Sequence, residues 1–289
     1  MGMGAARSLL RAGFEVAGVD VSAERRDAFA AAGGAAFERP ADGAAGAEAV
    51  LVFVVDDAQT RAVLFGEHGA VAALEKEAVV VACATVPPAF AERLGEELAA
   101  AGLLGLDAPV SGGAAKAALG QMTVIASGPA RAFERADPFL KAVATQVYRL
   151  GDAPGMGSTV KMINQLLAGV HIAAACEAMA LGMRAGADPA VLYDVISNSA
   201  GSSWMFQNRV PHILAGDYSP RSAVDIFVKD LGIVLAAGKD ASFPLPLTAT
   251  AHQLYLAARA KGLGREDDAA VVKVYADLAG LRLPERTGD

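Results

Sequence analysis

The residues best suited to acid–base chemistry lie over residues 157–165, which read GSTVKMINQ. Lys161 falls in an otherwise apolar helical pattern, and Asn164 follows at the i+3 spacing that places two side chains on one helix face. A buried lysine loses part of its preference for the charged form and becomes a usable acid or base near neutral pH. The alternative is a lysine at the helix end whose ammonium group stays in water.

The loop over residues 107–113, which reads DAPVSGG, offers a place for an anion. Ser111 is followed by Gly112 and Gly113, so consecutive backbone N–H groups are exposed beside a hydroxyl group. Such an arrangement suits a carboxylate. An ordinary glycine-rich turn is the alternative.

Lys229 and Asp230 interrupt an apolar run over residues 226–234. A salt-bridged pair on the surface is the simplest interpretation. Alternatively, Lys229 is a second cation that lowers the pKa of Lys161 and binds an anionic substrate or the cofactor. The four histidines lack metal-ligand spacing and form no cluster with cysteine, so we predict no metal site.

The beginning of the chain predicts a dinucleotide site. A helical pattern over residues 5–12 stops at Gly13, and an apolar strand over residues 14–19 ends before Asp20. In a Rossmann unit an acidic residue lies about 20 residues beyond a G-x-G-x-x-G turn and accepts hydrogen bonds from the adenosine ribose. We therefore expect Asp20 to bind the ribose of NAD and to repel the 2′-phosphate of NADP. An aspartate that caps the next helix is the alternative.

Counting back from Asp20 makes Gly2 the last glycine of this turn. The first two glycines and the first strand would then precede residue 1. That strand normally lies at the centre of the sheet, and the turn supplies backbone N–H groups to the pyrophosphate. We therefore expect either about a dozen further residues upstream or weak binding of NAD.

The predicted secondary structure that holds these residues differs between the two halves of the chain. In residues 1–154, strands are expected over residues 14–19, 49–55, 79–82, 122–127 and 146–150. Helices are expected between them over residues 23–32, 57–65, 88–101 and 130–143. Runs that are apolar at every residue suit a parallel sheet covered on both faces. This part is predicted to be an α/β, Rossmann-type doubly wound domain without its first strand.

The strand pattern disappears after residue 155. A long helix over residues 160–184 would span about 37 Å, enough to join two domains. Further helices are expected over residues 188–198, 203–214, 225–239, 247–260 and 266–279, with no clear capping residue before the last. Residues 155–289 are thus predicted to form an all-α domain.

The composition is typical of a folded globular enzyme, with 54% hydrophobic and 20% charged residues. A net charge of −7 argues against nucleic acid as a partner. The most apolar stretch, residues 166–181, is shorter than the about 20 residues that cross a membrane, and no signal pattern opens the chain. Two cysteines, Cys83 and Cys176, form no disulfide framework and indicate core positions in a cytoplasmic protein.

Three blocks in this order resemble the β-hydroxyacid dehydrogenase family, which includes the 3-hydroxyisobutyrate dehydrogenases. They are residues 107–113, residues 157–165 and the Lys-Asp-Leu element at residues 229–231. The resemblance covers nearly the whole chain. It implies that Lys161 is the catalytic acid or base and that Asn164 orients the substrate. The groups implied to bind the substrate carboxylate are Ser111, Gly112 and Gly113.

The same resemblance implies a cofactor site. Thr85 matches a threonine that contacts the cofactor, although Ala84 stands where the family has serine. Lys229 is implied to lie near the nicotinamide and the substrate, while Gly2 and Asp20 bind the dinucleotide. NADP-using relatives carry a non-acidic pattern at the position of Asp20, so the cofactor is expected to be NAD.

The resemblance implies NAD-dependent oxidation of a small hydroxy sugar acid, with L-threonate oxidised at C2 to 2-oxo-tetronate as the first expectation. One alternative is an NAD(P)H-dependent reductase of small semialdehyde acids such as tartronate or succinate semialdehyde. Another is a truncated chain with impaired NAD binding. The expected partners are a small hydroxyacid and further copies of the chain in a dimer or tetramer, without nucleic acid or membrane.

Overall fold

A computed structural model describes residues 1–286 of the chain. It contains two compact units, Met1–Met162 and Ile163–Asp289. The boundary between the units falls inside one continuous helix, Met156–Arg184.

The first unit alternates strands and helices, which confirms the α/β Rossmann-type class. Its strands are β1 Ala17–Val19, β2 Ala35–Phe37, β3 Ala49–Val52, β4 Val79–Ala82, β5 Leu104–Asp107, β6 Val110–Ser111, β7 Met122–Ala126 and β8 Ala144–Arg149. Its helices are α1 Gly2–Arg11, α2 Ala23–Ala30, α3 Pro40–Ala44, α4 Asp57–Phe65, α5 Pro88–Ala100, α6 Gly113–Leu119, α7 Ala130–Val143 and the beginning of α8, Met156–Arg184. A short 3₁₀ helix covers Ala70–Ala73.

The strands of the first unit form three small sheets. β1 pairs with β2, and β3, β4 and β5 pair in that order, all of them parallel. β6 is antiparallel to β7, which is parallel to β8. Within residues 1–286 no hydrogen-bonded ladder joins β1 to β3. The expectation of a missing first strand stays a prediction.

The sheet β3–β4–β5 is covered on both faces, which explains why β3 and β4 are apolar at every residue. Along β4, Val79 and Val81 belong to a core completed by α1 and α7. Val80 and Ala82 belong to a second core completed by α4 and α5. Successive strand residues point to opposite faces, so a strand buried on both sides has no polar position.

Several strands differ from the sequence prediction. β1 covers only three residues and β3 only four, because pairing ends before the apolar runs do. β2, β5 and β6 were not predicted. In β5 the signal is weakened by Gly105, a residue disfavoured in strands. A side chain at Gly105 would lie 3.0 Å from the Leu98 side chain, so the glycine lets α5 pack closely on the sheet.

The described part of the second unit is helical, as predicted. After α8 it contains α9 Pro189–Ser197, α10 Trp204–Leu214, α11 Val224–Asp240, α12 Pro246–Ala260 and α13 Val272–Ala279, with a 3₁₀ helix at Asp268–Val271. Tyr255 is fully buried in its core, and the phenol donates a hydrogen bond to the Gly169 carbonyl at 3.0 Å. A side chain at Gly169 would lie 2.9 Å from Phe227 and Leu231, so this glycine allows α11 to approach α8.

The last predicted helix requires a correction. Residues 266–279 were expected as one helix without a capping residue, but a 3₁₀ turn precedes α13 and Asp267 caps it by accepting from the Ala269 N–H at 3.2 Å. The same carboxylate contacts His212 Nδ1 at 2.9 Å and accepts from the Arg221 N–H at 3.1 Å. Burial acts to raise the pKa of Asp267, but these bonds outweigh it and hold the pKa below the usual range.

Helix α8 meets the length and composition of a membrane span, contrary to the sequence prediction. Its 29 residues include an 18-residue window with a mean hydropathy of 1.6. Core helices of folded domains pass the same test. Of this window 39% is buried, and Ile172 and Met179 of α8 are fully buried in the core of the second unit.

Candidate active site

Lys161 lies in the second turn of α8 and is only 6% exposed. A helix-end lysine with its ammonium group in water would be far more exposed, so that interpretation is wrong. Lysine is rarely buried unless a specific interaction holds it there, and its amine becomes more useful for proton transfer when water is excluded. The position of this amine therefore depends on how the first turn of α8 is held.

The start of α8 is bound by the carboxylate of Asp107, at the end of β5. Asp107 Oδ2 accepts hydrogen bonds from the N–H groups of Gly155 at 3.0 Å and Ser158 at 2.7 Å. Oδ1 accepts from the Ser158 hydroxyl at 2.6 Å. Burial raises the pKa of Asp107, and the hydrogen bonds from Ser158, Gly155 and Ser127 offset part of that rise.

Ser127, directly after β7, provides a second attachment. Its hydroxyl accepts a hydrogen bond from the Gly157 N–H at 2.9 Å and lies 3.4 Å from Asp107 Oδ2. The backbones of Asp107 and Ser127 also exchange two hydrogen bonds, at 3.0 and 2.9 Å. Together they satisfy N–H groups that the first turn of a helix leaves unpaired.

The predicted carboxylate loop turns sharply at two glycines. Ser111 ends β6 opposite Thr123 of β7. Gly112 has φ +125° and Gly113 has φ +71°, both in the region that favours glycine. A side chain at Gly112 would lie 2.9 Å from Lys116, whereas the space beside Gly113 is open. The backbone at Gly113 is therefore accessible to a small ligand.

In the second unit, Asn164 and Lys229 are linked by a chain of polar contacts. Asn164 Nδ2 donates to Gln165 Oε1 at 3.0 Å, and Gln165 Nε2 donates to Asp230 Oδ2 at 2.6 Å. Lys229 Nζ lies 2.8 Å from Asp230 Oδ1. Asp230 is 2% exposed, so the interpretation of Lys229 and Asp230 as a surface pair is wrong. Asp230 fixes both a buried amide and the ammonium of Lys229.

Near the start of the chain, Gly2 is the first residue of α1, and a side chain there would lie 3.2 Å from Phe53. Asp20 directly follows β1, with a third of its side chain exposed. Its Oδ1 accepts from the Ser22 N–H at 2.9 Å, and Oδ2 lies 3.5 Å from Arg25 Nη1. Helix α2 is capped by Ser22, so the interpretation of Asp20 as the helix cap is wrong.

Thr85 is partly exposed and follows β4 after the buried residues Cys83 and Ala84. Burial raises the pKa of the Cys83 thiol, which suits the predicted core position rather than a reactive one. The last residue of β4, Ala82, is paired with Asp107 of β5. Thr85 and the carboxylate loop thus begin at the same carboxyl edge of the sheet, where doubly wound domains bind their ligands.

The sequence prediction missed Asp107, Ser127 and Ser158 as members of one cluster. The sequence gives one sign of this cluster, because Asp107 is an acidic residue at the end of the apolar segment 104–106 of β5. The residues next to Ser127 and Ser158 in the sequence do not indicate that these serines contact Asp107. Among residues 1–286, no group of three histidine, cysteine, aspartate or glutamate side chains could hold a metal ion.

Two family models match the chain. Residues 1–151 match the NAD binding domain of 6-phosphogluconate dehydrogenase. Residues 155–275 match the model described as NAD-binding of NADP-dependent 3-hydroxyisobutyrate dehydrogenase.

Individual relatives match over almost the whole chain. The L-threonate dehydrogenase of Cupriavidus necator is 59% identical over 284 residues, which are 98% of this chain and 95% of that protein. The L-threonate dehydrogenase of Escherichia coli K12 is 51% identical over 98% of this chain and 93% of its own length. A crystal structure of 3-hydroxyisobutyrate dehydrogenase from Salmonella typhimurium is similar with a TM-score of 0.90 and 51% identity, over 94% of this chain and 95% of that one.

Proposed function

The chain belongs to the β-hydroxyacid dehydrogenase family of NAD-dependent enzymes, and on this premise we propose that it oxidises L-threonate at C2 to 2-oxo-tetronate. The observation that carries the proposal is the burial of Lys161 in the second turn of a helix whose start is fixed at the carboxyl edge of the sheet. The choice of L-threonate is supported by the names of the relatives that are 51% and 59% identical.

In the proposed reaction, NAD supplies the acceptor for a hydride from C2 of the substrate. Lys161 Nζ accepts the proton of the C2 hydroxyl, and the resulting ammonium stabilises negative charge on that oxygen. Ser111 Oγ and the N–H groups of Gly112 and Gly113 bind the substrate carboxylate. Positioning of this kind supplies about 7–11 kcal/mol, and general acid–base action a further ~10²–10⁴-fold.

We propose supporting roles for the remaining residues of the site. Asn164, one turn after Lys161 on α8, orients the substrate hydroxyl groups. Lys229, held by Asp230, supplies positive charge to the substrate or the nicotinamide region. Thr85 contacts the cofactor from the end of β4. The support for these roles is the family resemblance together with the contacts of Asn164 and Lys229.

The residues after β1 fit an adenosine ribose. Asp20 has two carboxylate oxygens, which within residues 1–286 accept one short hydrogen bond, from the Ser22 N–H at 2.9 Å, and a long one from Arg25 Nη1 at 3.5 Å. Lone pairs therefore remain for ribose hydroxyls, and the negative charge disfavours a 2′-phosphate. The description of one matching family model mentions NADP, but Asp20 supports NAD.

We expect Asp20→Ala to lower kcat/KM with NAD by about 10–100-fold, because two ribose hydrogen bonds to a charged group are lost. The ratio of kcat/KM with NADP to that with NAD should rise. Both values are measured by the absorbance of the reduced cofactor. Asp27→Ala, an exposed aspartate of α2, is the control. An unchanged ratio in Asp20→Ala would show that Asp20 does not select the cofactor.

The substrate proposal is tested with a panel of acids, each assayed with NAD and NADP. The panel contains L-threonate, D-erythronate, D-glycerate and 3-hydroxyisobutyrate, together with tartronate and succinate semialdehydes in the reductive direction. We expect kcat/KM for L-threonate with NAD to exceed every other value by at least ~10-fold, since a pocket that hydrogen-bonds the substrate hydroxyl groups rejects analogues that lack one or place it differently. A higher value for a semialdehyde with NADPH would contradict the proposal.

We further propose that the enzyme is a homo-oligomer, a dimer or a tetramer, and that it acts in the cytoplasm. The helical unit exposes large apolar side chains at Leu181, Val191, Val195 and Trp204, which supports self-association. Both cysteines are buried and unpaired, which supports a reducing compartment. Light scattering on the purified chain measures the number of subunits, and a monomer would contradict the first proposal.

A further inference from the structure

The cluster at the start of α8 is more elaborate than a helix cap requires. An ordinary cap residue accepts one or two hydrogen bonds from the first turn, as Asp188 does for α9. Asp107 instead binds the first turn of α8 and also the hydroxyl of Ser158, with both partners almost fully buried. A third residue, Ser127, accepts a hydrogen bond from the N–H group of Gly157, which lies between the two N–H groups bound by Asp107. The helix start is therefore bound to the ends of two strands.

The helix start packs closely against the sheet at Gly157. A side chain at Gly157 would lie 2.6 Å from the backbone oxygens of both Asp107 and Ile125. These atoms belong to strands and cannot shift as the end of a flexible side chain could. The first turn of α8 therefore lies directly against the backbone at the carboxyl ends of β5 and β7.

Asp107 also occupies a special place in the sequence. It is the residue from which the loop to Ser111 and Gly113 departs, and Ser158 precedes Lys161 by one helical turn. The same carboxylate thus binds the base of the proposed substrate loop to the helix that carries the proposed acid–base amine. Hydrogen bonds to a charged acceptor are about twice as strong as neutral ones, which suits a contact that must hold a geometry.

We propose that Asp107, with Ser127 and Ser158, is a positioning residue that sets the place of Lys161 relative to the loop Ser111–Gly113. The inference rests on the proposed function, because it assigns a purpose to the position of Lys161. Asp107 does not touch the substrate in this scheme. It acts through the backbone of α8.

The test compares Asp107→Ala, Asp107→Asn and Ser158→Ala with the wild-type chain. A displacement of about 1 Å at a reacting group costs ~10²-fold in rate, so kcat in Asp107→Ala should fall by about that factor. Ser158→Ala removes one bond to the carboxylate and should lower kcat by about tenfold. Asparagine keeps the size and one acceptor of Asp107, so Asp107→Asn should recover most of the loss. The KM for NAD should change by less than about twofold in all three, because the ribose site at Asp20 is untouched.

A second measurement needs no substrate. Acetylation of lysines by acetic anhydride, followed by mass spectrometry, gives the labelling rate of Lys161 relative to the exposed Lys141 of the same molecule. We expect this ratio to rise severalfold in Asp107→Ala and Ser158→Ala. The matched control is Asp267→Asn, which alters another buried capping carboxylate, in the second unit. It should lower the melting temperature without changing the ratio.

The outcomes separate this inference from the proposed function. Unchanged kcat and an unchanged labelling ratio in folded Asp107→Ala would overturn the positioning role and leave the function standing. A changed ratio in a chain that oxidises none of the panel acids would support the positioning role and refute the function. Should Asp107→Ala fail to fold, Ser158→Ala and Ser127→Ala decide the question, since each leaves the carboxylate with other donors.

Discussion

Lys161→Ala is expected to reduce kcat with L-threonate by ~10²–10⁴-fold, the range that general acid–base catalysis contributes. The affinity for NADH, measured by fluorescence titration, should change by less than about twofold, because the proposed dinucleotide site consists of other residues. Lys161 is almost fully buried, so alanine also leaves a cavity. Lys161→Met fills that space without an amine and should be as inactive as the alanine variant.

Two further variants separate proton transfer from charge. Lys161→Arg keeps a positive charge but cannot release its proton near neutral pH, so it should be nearly inactive as well. An active arginine variant would show that the group acts through its charge alone. Lys141→Ala, an exposed lysine of α7, is the control and should be fully active. Activity above a few per cent in Lys161→Ala would refute the assignment.

Asp268→Ala is expected to lower the free energy of unfolding by about 3–5 kcal/mol, the cost of leaving one buried charge without its partner. Asp268 is fully buried, and its two oxygens contact Arg209 of α10 at 2.5 and 3.0 Å. Burial raises the pKa of Asp268 to about 6, and Arg209 opposes that rise. The loss is measured by urea unfolding, followed by the fluorescence of Trp204, the only tryptophan of the chain.

A double variant distinguishes the net contribution of the ion pair from the cost of leaving Arg209 buried without its partner. Arg209→Met combined with Asp268→Leu replaces both ions by apolar groups and should recover most of the stability. Lys141→Ala removes an exposed ion pair with Asp137 on α7 and should cost no more than about 0.5 kcal/mol. A similarly small loss in Asp268→Ala would show that water reaches Arg209 and that the pair is not a structural element.

Much of the fold could be predicted because its signals are local. The apolar run at β4 and the periodic pattern of α8 report burial directly in the residue types. The start of α8 could not be predicted, because it lies four residues earlier than the pattern and is fixed by Asp107 and Ser127, from other elements. Gly155 and Gly157, poor helix residues by propensity, concealed it further.

The candidate site shows the same division. Residue type and spacing single out Lys161 and the glycines at 112 and 113, but their roles come from the family resemblance and stay predictions. The burial of Asp230 could not be predicted, because adjacent opposite charges indicate an exposed pair unless another element covers them. Here Gln165, 65 positions away in the sequence, contacts the carboxylate. The contacts of Asp107 with the start of α8 could not be predicted for the same reason.

The way α8 begins limits how this protein can be dissected. A fragment that ended at residue 154 would keep the Asp107 carboxylate but lose its donors at Gly155 and Ser158, which would leave it with the Ser127 hydroxyl at 3.4 Å. A carboxylate that loses most of its hydrogen bonds destabilises the end of β5. A fragment that began at residue 155 would start a helix with unpaired N–H groups. This second fragment would also lack Asp107 and Ser127, so the start of the helix that carries Lys161 would no longer be held. Neither half should therefore be studied as an independent domain, and a protease should find residues 155–158 resistant in the intact chain.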